Sequence, residues 1–182
     1  MASVLREVDN LSLHPLEETI AHTLVERCGG VILHAASIRL EDGRAVVFIG
    51  PSGAGKTTAC ALSGRPFFAR DKVALVPREG VWWAWPLLGG TMPETGSMCG
   101  DPALEVAAVC RVRQSSGEAR VDDLSAHRAV FLVRESCFAN TSAGLDDTRL
   151  DAITQLCSEV PVGEVHTVLG SSSLAPIRSW LS

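Results

Sequence analysis

The sequence predicts an α/β fold with a mixed sheet and flanking helices. Short apolar segments of the strand type alternate along the chain with segments whose apolar residues recur at helical spacing. The chain has 182 residues, of which 46% are hydrophobic and 20% charged, so it is long and apolar enough to bury one core. It shows no internal repeat and no low-complexity tract. We therefore expect a single domain over residues 1–182.

Local signals delimit the predicted elements. Pro15 and the acidic residues after it predict a helix start, because proline fits the first turn and negative charge suits that end of the helix dipole. Gly29 and Gly30 predict its end. Strands are expected over residues 31–40, 45–49, 67–69, 73–76, 80–85, 106–112 and 165–169, and helices over 15–28, 57–62, 125–135, 146–157 and 174–181. Residues 1–14 are expected to be a short strand or an arm, and 86–103 a long loop.

The composition excludes several classes of protein. A net charge of −5 argues against a nucleic-acid binder, because no basic surplus exists to neutralise phosphates. No apolar run approaches the roughly 20 residues that span a bilayer, and the N-terminus has no apolar signal segment. We expect a cytoplasmic protein with neither a membrane nor a nucleic acid as its partner. The six cysteines are scattered and are expected to be free thiols, since zinc sites and disulfide frameworks need closer spacing.

Residues 50–57 form a phosphate-loop motif. They read Gly-Pro-Ser-Gly-Ala-Gly-Lys-Thr and match the pattern G-x-x-x-x-G-K-[ST] in full. A predicted strand precedes this phosphate loop and a predicted helix follows it, as the motif requires. The glycines let backbone N–H groups converge on a polyphosphate without a Cβ in the way. We therefore expect the loop to bind a nucleoside triphosphate, with ATP as the expected ligand.

The side chains of the phosphate loop have predicted roles. Lys56 is expected to reach the β- and γ-phosphates, and the Thr57 hydroxyl to ligate Mg²⁺. Lys56 is one of only two lysines in the chain, and the other is Lys72. The predicted binding set comprises Gly50, Pro51, Ser52, Gly53, Ala54, Gly55, Lys56, Thr57 and Thr58.

The stretch of residues 31–77 resembles the C-terminal domain of HPr kinase/phosphorylase and the shorter HPr-kinase-like proteins of bacterial gene clusters. The likeness is carried by Leu33-His34-Ala35-Ala36-Ser37, the phosphate loop, and Ala69-Arg70-Asp71-Lys72-Val73. That family shares its fold with ATP-dependent phosphoenolpyruvate carboxykinase. The resemblance implies this fold, and the transfer of phosphate from ATP to a serine of a protein or peptide. It does not extend to the family's separate N-terminal domain.

The resemblance also implies roles for residues outside the phosphate loop. His34 would lie beside the transferred phosphoryl group, and Asp71 would match the second aspartate of a pair and lie, like Thr57, near the metal. The first aspartate of that pair, which takes the proton from the substrate serine, is replaced here by Arg70. A guanidinium cannot accept a proton at neutral pH. Arg70 could instead stabilise charge on the γ-phosphate.

This departure leaves three functions open. A serine kinase would need another base, a nucleotide-binding regulator or scaffold would bind without transfer, and a simple ATP or GTP hydrolase would need no acceptor. HPr kinases assemble through this kind of domain, so the resemblance also allows a homo-oligomer.

Three further features have more than one interpretation. Residues 86–103 are either a lid or disordered. Trp82, Trp83 and Trp85 either pack in the core or stack on a base. His166 and Asp122 are expected at the solvated surface.

Overall fold

A computed structural model describes residues 14–87, 102–138 and 147–182. These ranges hold five helices: α1 (His14–Arg27), α2 (Lys56–Leu62), α3 (Ala126–Glu135), α4 (Asp147–Glu159) and α5 (Leu174–Leu181). They also hold eight strands: β1 (Val31–Arg39), β2 (Ala45–Ile49), β3 (Phe67–Ala69), β4 (Lys72–Arg78), β5 (Val81–Pro86), β6 (Leu104–Gln114), β7 (Arg120–Asp123) and β8 (Val162–Thr167). The predicted mixed α/β class is confirmed.

The strands form one mixed, mostly antiparallel sheet. Its order is β2-β1-β4-β5-β6-β8-β7, with β3 beside β1, and β2 also pairs with β6. The long strand β1 pairs with three strands: its first four residues pair with β4, its last five with β2, and Ser37 and Ile38 also with β3. Only β2–β6 and β6–β8 are parallel among the described pairs. As a result, β2, β6 and β8 end at the same edge of the sheet.

Helices cover the sheet on both faces. Leu132 of α3 and Ile153 of α4 belong to one apolar cluster, and Cys60 of α2 and Ile177 of α5 to another. All five residues of β2 are buried and alternate between the two clusters, as expected for a strand covered on both faces. This double burial fixes the direction in which β2 delivers the chain to the phosphate loop.

The structure differs from the predicted elements near the C-terminus. The last strand runs over Val162–Thr167 and not over residues 165–169, because its pairing with β6 begins at Val162, while Leu169 is 94% exposed. Strand β7 was not expected, since its sequence is polar; it forms by antiparallel pairing with β8. That pairing places His166, 7% exposed, 2.9 Å from the Asp122 carboxylate, so the expectation of a solvated histidine is wrong.

Other expectations have mixed outcomes. Trp82 is buried in the core and its indole N–H donates to Glu159 Oε2 at 2.7 Å, whereas Trp85 is exposed. The five cysteines in the described ranges are free thiols, as predicted. The structure does not describe residues 1–13 and 88–101. Almost all of the predicted arm and most of the predicted lid therefore lie outside the described residues. Among the helices of the described ranges, none has the length and apolar character to cross a membrane.

Candidate functional site

The candidate site lies where the parallel strands end. The phosphate loop follows β2 directly, beside the ends of β6 and β8. Gln114, the last residue of β6, donates from its side-chain amide to the carbonyl of Gly53 at 3.4 Å. The loop is therefore held over the neighbouring strand as well as by its own two ends.

The two glycines that the phosphate-loop motif fixes, Gly50 and Gly55, have backbone conformations that favour glycine. Gly50 has a φ of 147°, and a Cβ added there would lie 3.1 Å from the Cβ of Ala54. Gly55 has a φ of 95° and directly precedes α2. Residues with a Cβ are strained in this region of φ. The glycines of the motif thus stand at the positions where the backbone of the loop takes a conformation that other residues adopt only with strain, and this explains their spacing.

The Lys56 side chain folds back onto the loop. Its Nζ donates to the carbonyl of Gly50 at 2.8 Å and to that of Pro51 at 3.2 Å, and the residue is only 8% exposed. Burial lowers the pKa of Lys56; the Asp71 carboxylate opposes this shift and the Arg111 guanidinium adds to it. An ammonium carries three N–H donors, so one remains after the two carbonyls are served.

Hydroxyl groups stand at the start of α2. Thr57 and Thr58 occupy its first turn and are both exposed. The oxygen groups that the sequence analysis assigned to a metal are the Thr57 hydroxyl in this turn and the Asp71 carboxylate in the bend between β3 and β4. These hard oxygen ligands fit Mg²⁺, which takes a few protein oxygens and completes its shell with water and substrate phosphate.

His34 and Asp71 form a pair beside Lys56. His34 Nε2 lies 3.3 Å from Asp71 Oδ1, and the Asp71 carbonyl accepts from the backbone N–H of Ala35 at 3.1 Å. Burial lowers the pKa of His34 and the Lys56 charge lowers it further, against the opposing effect of Asp71. The structure therefore brings together His34, Lys56 and Asp71, three residues that the sequence analysis placed in one site.

Arg70 is not brought into this group. Its guanidinium lies over the ring of Phe67, 4.8 Å from the ring centroid. Burial lowers the pKa of Arg70, while the thiol of Cys60 acts in the opposite sense. Phe67 and Cys60 both belong to the apolar cluster beneath α2. The Arg70 side chain is thus directed to that cluster, and it is Asp71 that pairs with His34.

Arg111 is a residue of the site that the sequence analysis missed. It lies on β6 opposite Ile49, the residue just before the phosphate loop. Its Cδ is 3.7 Å from the point that a Cβ on Gly50 would occupy. The feature of the sequence that could have indicated it is the charge of Arg111 itself, which directly follows the buried apolar residues 106–110 near the end of a strand. Using that signal requires knowing that β6 runs parallel to β2 and beside it.

A cleft opens beside the loop on the α2 side. It has a volume of about 250 Å³ and lies between α2 and the segment that follows β8. Apolar side chains line one part of it and polar groups another. The apolar part comprises Ala59, Leu62, Val168 and Leu169, and the polar part includes Thr58, Gln114 and Ser115.

Comparison with known proteins adds no family to this description. No family model matches the chain, and no curated protein matches it.

Proposed function

We propose that this chain binds ATP with Mg²⁺ through the phosphate loop and has the fold of the HPr kinase/phosphorylase C-terminal domain. The observation that carries the proposal is the buried Lys56 ammonium, held by two loop carbonyls inside a complete phosphate-loop motif. Its third N–H is available to a phosphate oxygen, and a charge-assisted bond of this kind is stronger than a neutral one. Thr57 and Asp71 would hold the Mg²⁺.

The cleft supports a nucleoside as the rest of the ligand. It begins at Gly55 and Thr58, which also belong to the predicted phosphate-binding set. An aromatic base is apolar on its faces and polar at its edge, and the cleft offers apolar walls together with amide and hydroxyl groups. We place the base in this cleft, with the phosphates running from it along the loop.

The reaction that the site supports best is transfer of the γ-phosphoryl group to a serine of a protein or peptide. The serine oxygen would form a bond to the γ-phosphorus, the bond from that phosphorus to the bridging oxygen would break, and ADP would leave. His34 would accept the serine proton, because its lowered pKa keeps the ring neutral at pH 7. With Nε2–H donating to Asp71, Nδ1 is the ring nitrogen left to accept it.

Binding of ATP without transfer is the second candidate function. It is favoured by Arg70, which stands where the resemblance to HPr kinase implies the aspartate that serves as base. A protein of this kind would act as a nucleotide-dependent regulator or scaffold.

The test is a titration with ATP and Mg²⁺ followed by a single-turnover assay with γ-labelled ATP. Label that appears on protein supports the kinase, free labelled phosphate supports a hydrolase, and intact bound ATP supports the binding protein. A wild-type chain that binds neither ATP nor GTP at millimolar concentration would refute the proposal.

A further inference from the structure

We propose that Arg111 binds the terminal phosphate of the nucleotide, and this inference rests on the proposed function. Two cations, Lys56 and Arg111, lie at the same end of β2. Arg111 is opposite Ile49 in the β2–β6 register, and its Cδ comes within 3.7 Å of the point that a Cβ on Gly50 would occupy. The half-buried side chain thus lies beside the first residue of the phosphate loop.

The charge of Arg111 is not neutralised by a neighbour among the residues that the structure describes. Across the described ranges 14–87, 102–138 and 147–182, no carboxylate forms an ion pair with it. Glu164 is its partner in the β6–β8 register, but the two carboxylate oxygens of Glu164 lie 3.1 Å from Arg113 and 3.7 Å from Arg128. The carboxylate that lies opposite Arg111 in the register therefore forms its ion pairs with two other arginines.

The proximity of Arg111 to Lys56 has an electrostatic cost. Two like charges in a partly buried site repel each other, and the Arg111 charge is one cause of the lowered pKa of Lys56. An anion between the two cations relieves this repulsion. A phosphate group suits the position, because the guanidinium fork matches two phosphate oxygens at once.

The direction of the loop identifies which phosphate this is. The cleft proposed for the base is lined by Gly55 and Thr58 at one end of the phosphate loop, whereas Arg111 lies beside Gly50 at the other end. A phosphate chain that leaves the cleft and follows the loop therefore brings its last phosphate to Arg111. The role of charge stabiliser that the sequence analysis offered to Arg70 falls to Arg111.

The test compares ATP with ADP, each with Mg²⁺, on four proteins. They are the wild type, Arg111→Ala, Arg111→Lys and the control Arg44→Ala, which removes the same charge at the opposite end of β2, where Arg44 pairs with Asp42. We expect Arg111→Ala to weaken ATP binding about 10- to 100-fold and ADP binding less than about threefold. Arg111→Lys should recover part of the loss, and Arg44→Ala should match the wild type.

Each other outcome counts against a specific statement. Equal losses for ATP and ADP, or no loss for either, overturn the assignment of Arg111 while leaving ATP binding intact. A wild-type chain that binds neither nucleotide overturns the proposed function itself, and the inference with it. Should Arg111→Ala fail to fold by circular dichroism, Arg111→Gln, which keeps most of the side-chain volume without the charge, replaces it in the same comparison.

Discussion

Replacement of Lys56 by alanine is the most direct test of the phosphate loop. The substitution removes an ammonium that is 8% exposed and bonded to two loop carbonyls, and it leaves the glycines in place. We expect the variant to fold and to lose most of its affinity for ATP. Lys72→Ala is the matched control, because Lys72 is the only other lysine and its Nζ lies over the ring of Phe138, 5.0 Å from the centroid.

The size of the effect follows from the contacts. One hydrogen bond from a charged donor to a phosphate contributes about 1.5–3 kcal/mol, which corresponds to a loss of affinity of about 10- to 150-fold. The free protein loses two hydrogen bonds to carbonyls but also avoids the cost of burying a cation. Since these terms oppose each other, we expect the free energy of unfolding to change by no more than about 1 kcal/mol, or about 2–4 °C in Tm.

Isothermal calorimetry with ATP and Mg²⁺, together with a thermal melt, measures both quantities. Equal ATP affinity in the wild type and Lys56→Ala would refute the reasoning. So would an equal loss in Lys72→Ala, because the effect would then not be specific to the position of Lys56.

Three further predictions concern the residues around the loop. Thr57→Ala should weaken ATP binding about tenfold in Mg²⁺ and leave it unchanged in EDTA, while Thr57→Ser should behave as the wild type; a loss that persists in EDTA would exclude a metal ligand. The folded-state pKa of His34 lies below its unfolded value of 6.5, so the unfolded chain binds more protons between the two values, and stability should fall as the pH drops through that window. His34→Gln should remove this component, and an NMR titration that placed the His34 pKa above 6.5 would contradict it. Arg70→Asp should destabilise the fold, because it removes the contact with Phe67 and places a carboxylate near Cys60. Each kcal/mol lost from the free energy of unfolding should lower Tm by about 2–4 °C. A faster phosphoryl transfer in this variant would show instead that residue 70 acts on the phosphoryl acceptor.

The parts of the fold that local sequence determines were predictable. Strand β2 has the predicted bounds, and α2 begins one residue earlier than expected. Both elements flank the phosphate loop, whose glycines and lysine have fixed local roles. The helix α5 also has the predicted bounds. In each case the spacing of the apolar residues indicates the type of element, and a residue typical of a turn or a helix end lies close to it in the sequence. Such an element can be recognised without reference to a distant segment.

The elements that were missed or displaced depend on distant partners. The four residues of β7 form a strand only because they pair antiparallel with β8. Strand β8 in turn begins at Val162 because its pairing with β6 begins there. The contact between the buried His166 ring and the Asp122 carboxylate joins the same two strands. No pattern within either segment shows that pairing, so the sequence alone favoured a surface position.

The contrast between Arg70 and Arg111 has the same physical origin. The resemblance pointed to Arg70 because it stands in place of the first aspartate of the pair, but in the bend between β3 and β4 it is Asp71 that pairs with His34, while the Arg70 guanidinium lies over Phe67. Arg111 is distant in sequence from the phosphate loop, from His34 and from Asp71. It reaches the loop only because β6 runs parallel to β2 in a register that pairs Arg111 with Ile49. A shift of that register by one residue would turn Arg111 to the other face of the sheet and bring Cys110 or Val112 to the loop instead. The strand pairing thus decides which cation stands beside Lys56, and the charge of the site is a property of the topology as much as of the motif.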